Sequence, residues 1–224
     1  MRELETIETV PERLLAGIAR IAVALRSRAW HDAAPRGLTP TQAQILVLLH
    51  GRPPIGLRVS ELAEQLAITA ATASDAVAAL ARKGLVQKER ARDDARVVHV
   101  RITEAGRAEA ERSAEWPDAL LAAVDALSPD EQRQLLRSLV KMIRALQEQG
   151  QIPVTRMCVT CRYFRPNIHP DAERPHHCAF VDAPFGDRSL RLDCPDHAEA
   201  TEPEREANWH AFAGAGAAGT AAVD

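Results

Sequence analysis

The sequence predicts a mainly α-helical chain: a helix–helix–helix–hairpin module flanked by long helices, then a small, loop-rich module stapled by metal. Three observations predict it. Apolar residues recur at three- and four-residue steps over most of residues 7–149, and only 85–89 and 97–102 alternate as strands do. Helix-capping signals recur through the same stretch. All four cysteines, all four phenylalanines and the single tyrosine lie after residue 157, so two compositions meet near Gly150-Gln151-Ile152-Pro153.

Ile7, Val10, Leu14, Ile18, Ile21 and Leu25 mark one face of a long first helix. Thr39-Pro40-Thr41-Gln42 opens the second, with a capping Thr, Pro in the first turn and Gln three residues after the cap. That helix carries Ile45, Leu46, Leu48 and Leu49 and stops at His50-Gly51-Arg52-Pro53-Pro54. Ser60 is expected to cap a short helix reaching about residue 67, and Thr69 another ending at Gly84. Two short strands follow, joined by the polar loop Arg90-Ala91-Arg92-Asp93-Asp94-Ala95-Arg96. Thr103 and Ser128-Pro129-Asp130-Glu131 start the remaining helices, the last running to about Gln149 with Leu135, Leu136, Leu139, Ile143 and Leu146 on one face. Glu109, Glu111 and Glu115 read as a solvated helix face, and Trp30 and Trp116 as core anchors.

Formal net charge is −3, which argues against nucleic acid as partner because phosphate binding requires Lys and Arg. The distribution reverses that argument. Residues 82–101 carry seven basic side chains against three acids, whereas residues 199–224 carry five acids against Arg205 alone. No apolar run approaches the ~18–20 residues of a membrane span, so a cytoplasmic chain without membrane contact is expected. There is no Gly-rich phosphate loop, nucleophile elbow or His-x-x-x-His pair, so an enzyme is not expected.

Helix, helix, turn, helix, hairpin is the order of a winged helix-turn-helix. A major groove admits one α-helix, and a basic hairpin beside it reaches the neighbouring phosphates. The helix beginning after Thr69 has an apolar face of Ala73, Val77 and Leu80, and opposite it the small polar residues Thr69, Thr72, Ser74 and Asp75.

From about residue 38 to 106 the sequence resembles the MarR family of bacterial transcriptional regulators. The resemblance rests on LTPTQAQILVLL, VSELAEQLAITAATASDAVAALARKGLV and a wing signature ending DDARVVHVRITEAG. It extends more loosely over residues 1–149, because that family flanks its winged helix with dimer-forming helices. By position, Asp94 and Arg96 match the family's wing Asp-x-Arg. The resemblance implies that Arg96 enters the minor groove while Asp94 supports the wing; Arg90 and Arg92 of the basic hairpin are further candidate DNA contacts. Thr72, Ser74 and Asp75 fall where the family's recognition helix faces bases and backbone. Asp75 departs from it: many relatives carry a basic residue there, and a carboxylate can accept from cytosine N4 but cannot pair with guanine or phosphate. The implied partners are a second copy of the chain, a pseudo-palindromic double-stranded DNA operator and a small aromatic effector.

Cys158-x2-Cys161-x16-Cys178-x15-Cys194 is a metal-ligand spacing, and each tight two-residue gap converges side chains on one ion. Zinc on these four cysteines is the first expectation, with His177 or His197 able to replace one thiolate. An iron–sulfur cluster is the alternative, since four thiolates suit it equally and the spacing is similar to that of high-potential iron–sulfur proteins. In that alternative the cluster controls DNA binding. Disulfides are disfavoured for want of an oxidising compartment. A metal-dependent hydrolase is the weakest alternative, because a catalytic zinc needs an open position that four thiolates close.

The expected organisation is therefore residues 1–37 as an N-terminal dimerisation helix, 38–104 as the winged helix and 105–150 as C-terminal dimerisation helices. Residues 151–198 form the Cys-rich metal-binding module and 199–224 a disordered, acidic, small-residue tail.

Overall fold

The computed structural model describes residues 9–52, 55–90, 97–114 and 118–214. The chain divides into two compact units, one spanning residues 1–59 and 71–117 and the other 60–70 and 118–224. Among the described residues no helix is long and apolar enough to cross a membrane.

In the first unit, α1 (Val10–Ala33) is opened by a reciprocal capping box between Thr9 and Glu12. It runs eight residues past the predicted stripe and buries only Ala33, leaving Val10, Leu14, Leu15, Ile18, Ile21 and Val23 exposed. Trp30, expected as a core anchor, is 53% exposed; Trp116 lies outside the described residues. Helix α2 (Pro40–His50) has the predicted Thr39–Gln42 capping box and buries Ile45, Leu46 and Leu49. Helix α4 (Ala70–Arg82) buries Ala73, Ala76, Val77 and Leu80.

Strands β2 (Val86–Arg90) and β3 (Val98–Ile102) form the expected antiparallel hairpin, Val86 opposite Ile102 and Arg90 opposite Val98. An unpredicted strand, β1 (Leu57–Arg58), pairs with β3 on its other edge. Two residues carry no period to read. Gly56 before β1 sits at φ 81°, with the Val100 carbonyl where a side chain would stand. Helix α5 (Glu104–Ala114) begins where Thr103 Oγ1 accepts the Gly106 N–H at 3.0 Å. Glu109 corrects the reading of a solvated face: it is buried and its carboxylate lies 3.0 Å from the Arg36 guanidinium. Glu111 is exposed and Glu115 is outside the described residues.

In the second unit, α3 (Val59–Gln65) buries Leu62 and Ala63. Ser60 is its second residue and not its cap. The chain then turns through Ala67 at φ 52°. Helix α6 (Asp118–Asp125) was not predicted as a separate element. Helix α7 (Pro129–Glu148) has the predicted Ser128–Glu131 capping box. A second antiparallel sheet follows in the order β4 (Phe164–Arg165), β5 (His176–Cys178), β6 (Ala183–Phe185), with Phe164 opposite Cys178. Val140 of α7 shares one core with Met157, Val159, Cys161, Phe164, Leu190 and Phe212. Helix α7 thus packs with the segment that follows it.

The expected disordered tail is also corrected. Residues 202–214 form α8 (Glu202–Gly214), whose Phe212 is fully buried. Thr201 prepares the helix, its N–H and its hydroxyl each 2.9 Å from the Glu204 carboxylate. A composition rich in small and acidic residues hid two aromatic anchors, Trp209 and Phe212, one turn apart. Residues 215–224 lie outside the described residues.

Candidate nucleic-acid interface and cysteine cavity

Helix α4 keeps its apolar residues buried because they recur on one face, which leaves the intervening positions outward. Thr72, Ser74 and Asp75 are exposed, as is Thr69 just before the helix. This is the surface the sequence assigns to a groove. Arg90 ends β2 and is exposed; Arg92, Asp94 and Arg96 lie outside the described residues. Two of the basic residues counted toward the wing are occupied internally. The Lys83 ammonium donates to the Gly37 carbonyl and to the Gln42 side chain, and Arg101 pairs with Glu89 across the hairpin. Sequence counting could not separate these from cations free to meet phosphate.

The four cysteines come together. Cys158 opens a short 3-10 turn (Cys158–Thr160) and Cys161 follows it, its N–H donating to the Cys158 carbonyl at 2.9 Å. Cys178 ends β5, and the Cys194 N–H donates to the Arg156 carbonyl at 2.9 Å. All four are free thiols, and all four line one cavity of about 190 Å³ with Tyr163, Phe164, Phe180 and Phe185. Burial pushes the Cys158 thiol up to about 11, against a lowering hydrogen bond from the Arg191 N–H, with the other three cysteines adding to the rise. Among the described residues no three His, Cys, Asp or Glu side chains are gathered to hold one metal ion. The candidate substitutes point elsewhere and neither lines the cavity. His177 bonds His169 at 3.2 Å and Asp182 at 3.1 Å. His197 bonds the Thr160 hydroxyl at 3.0 Å, and burial lowers its pKa.

Beside the cavity lies a buried polar group that sequence reasoning missed. The Asp187 carboxylate is 2.9 Å from both Arg137 of α7 and His176 of β5. His176, fully buried, contacts the rings of Phe164, Phe185 and Phe212. Nothing in the spacing of Arg137, His176 and Asp187 marks them as partners.

Residues 36–97 match the family model of the MarR family. Curated proteins give no match. Among solved structures, the chain is similar to MepR of Staphylococcus aureus in a complex with DNA, at 25% identity and TM-score 0.52, covering 62% of this chain and 100% of that one. It is also similar to the transcriptional regulator BldR from Sulfolobus solfataricus, at 25% identity and TM-score 0.50, covering 59% and 94%. AbsC, a MarR family transcriptional regulator from Streptomyces coelicolor, shares the fold at 23% identity and TM-score 0.53, covering 63% and 97%. With the hairpin in register and the polar face of α4 outward, residues 36–97 form a winged helix that matches the MarR family model, and the chain shares the fold of the transcriptional regulators it is similar to.

Proposed function

We propose that the protein is a dimeric, sequence-specific DNA-binding transcriptional regulator whose C-terminal cysteines bind metal. The observation that carries it is the outward polar face of α4, exposed at Thr72, Ser74 and Asp75, within a MarR-family domain. The likeness to a chain whose structure was determined with DNA supports the same reading. Thr69, Thr72, Ser74 and Asp75 face the major groove, while Arg90 and Arg92 neutralise phosphates, Arg96 enters the minor groove and Asp94 supports the wing. The exposed apolar stripe of α1 suits burial against a second copy, which places two half-sites about one helical turn apart on the operator. A small aromatic effector releases the DNA; no residue is assigned to it. The protein works in the cytoplasm and is not an enzyme.

Selection from random DNA supplies the operator, and a gel-shift titration over a range of salt tests the contact. Arg96→Ala weakens binding to every sequence and lowers the salt slope by about one unit. An unchanged affinity and slope removes the wing from the interface.

A second reading, in which the metal site controls DNA binding, is favoured by one observation. Cys161 is packed in the same core as Val140 of α7, so ligation at Cys161 bears on a helix expected to form the dimer. Metal removal then changes operator affinity; affinity that survives chelation leaves the site structural.

A further inference from the structure

The arrangement of the cysteines distinguishes between two kinds of metal site. This step rests on the reading of the four thiols as metal ligands. A single zinc ion holds each sulfur about 2.3 Å away, which draws four sulfurs into mutual contact and leaves no space between them. Here the four cysteines instead line a cavity of about 190 Å³, several times the ~30 Å³ that a water molecule occupies in the liquid. We propose that this cavity holds an iron–sulfur cluster ligated by Cys158, Cys161, Cys178 and Cys194.

Donor chemistry and surroundings agree. Four thiolates are the complete ligand set of [2Fe–2S] and [4Fe–4S] clusters, and a cluster separates its ligands around a volume where an ion collapses them onto a centre. Tyr163, Phe164, Phe180 and Phe185 give the cavity a wall of ring surface. The cluster and its thiolates carry net negative charge, and Arg191 meets it twice. Its backbone N–H donates to Cys158 Sγ at 3.3 Å, and its guanidinium donates to Cys194 Sγ at 3.8 Å. Hydrogen bonds to ligand sulfur stabilise electron-rich thiolates and tune a cluster's potential. The ligands are also held by backbone and not by loops alone: Cys178 by its pairing opposite Phe164, Cys194 by its bond to the Arg156 carbonyl, and Cys161 by burial in the core.

The test uses the full chain, expressed with iron and purified without oxygen, with iron, acid-labile sulfide and zinc measured per chain beside a visible absorption spectrum. The expected protein is brown, with iron and sulfide in equal amounts and zinc near zero. Cys178→Ser and Cys194→Ser each lose most of the iron, while far-ultraviolet circular dichroism shows whether their helices persist. Because such variants can misfold, metal-free wild-type protein is also incubated with ferrous iron and sulfide, or with zinc alone. Recovery of the visible spectrum with iron and sulfide supports the cluster. A colourless chain that takes up one zinc and forms no cluster overturns the proposal and leaves the metal site standing. A chain that binds neither overturns both.

Discussion

Asp187 couples charge to packing in the C-terminal unit. Burial by itself would raise its carboxyl, but the hydrogen bond from His176 and the charge of Arg137 outweigh that, and the group is held below the usual carboxylate range. A group depressed in this way adds stability that is complete above the ordinary carboxylate range and is lost as pH falls through its folded value. Asp187→Asn leaves Arg137 and His176 without their anion and costs about 3 kcal/mol near neutral pH, the scale of a broken buried pair. Urea unfolding of both proteins from pH 7 downward measures this, and the gap between them narrows in acid. A gap that stays constant would assign the role to shape and not to charge. In the other unit, Arg36 pairs at 3.0 Å with the buried carboxylate of Glu109.

Among the elements, α5 and α8 carry the sharpest tests. Gly106 stands where an added Cβ would lie 2.0 Å from the Leu85 carbonyl and 2.8 Å from Ile102, so α5 approaches the strands closely only because a side chain is missing. Gly106→Ala forces them apart and costs about 1–3 kcal/mol, read as a lower midpoint in chemical denaturation; an unchanged midpoint contradicts the close approach. Helix α8 closes the C-terminal core through Phe212, whose ring packs edge-on to Phe164 and under the Arg137 guanidinium. Phe212→Ala removes a fully buried ring and costs about 3–5 kcal/mol. Deleting residues 199–224 is therefore expected to loosen this core. Cysteine reactivity toward a thiol reagent compares the two: faster labelling of Cys161 in the truncated chain is the expected result.

At the scale of the whole molecule, the exposed apolar stripe of α1 is the feature that a single chain leaves unexplained. Residues such as Ile18 and Ile21, 40% and 58% exposed, rarely remain open along a long helix without a partner. Ile18→Asp placed in that stripe shifts the chain from dimer to monomer in sedimentation and weakens operator binding with it. A wild-type chain that sediments as a monomer at the concentrations used would refute the dimer. The capping boxes at Thr39 and Ser128 and the two faces of α4 were legible in the sequence because each is written within three or four residues. The same locality hid β1, too short to show a period, and α8, whose two aromatics are diluted by small residues. It also hid the environments of Glu109 and Asp187, set by Arg36 and Arg137 far away in the chain. The sequence by itself determined the starts of α2, α5 and α7, the hairpin, the outward polar face of α4 and the cysteine spacing, since those depend on backbone propensity and short-range periodicity. Only the tertiary structure decided which charges are buried, that the last helix completes a core, and that four cysteines line one cavity. Those outcomes depend on which distant segments exclude water together, and no local pattern encodes that.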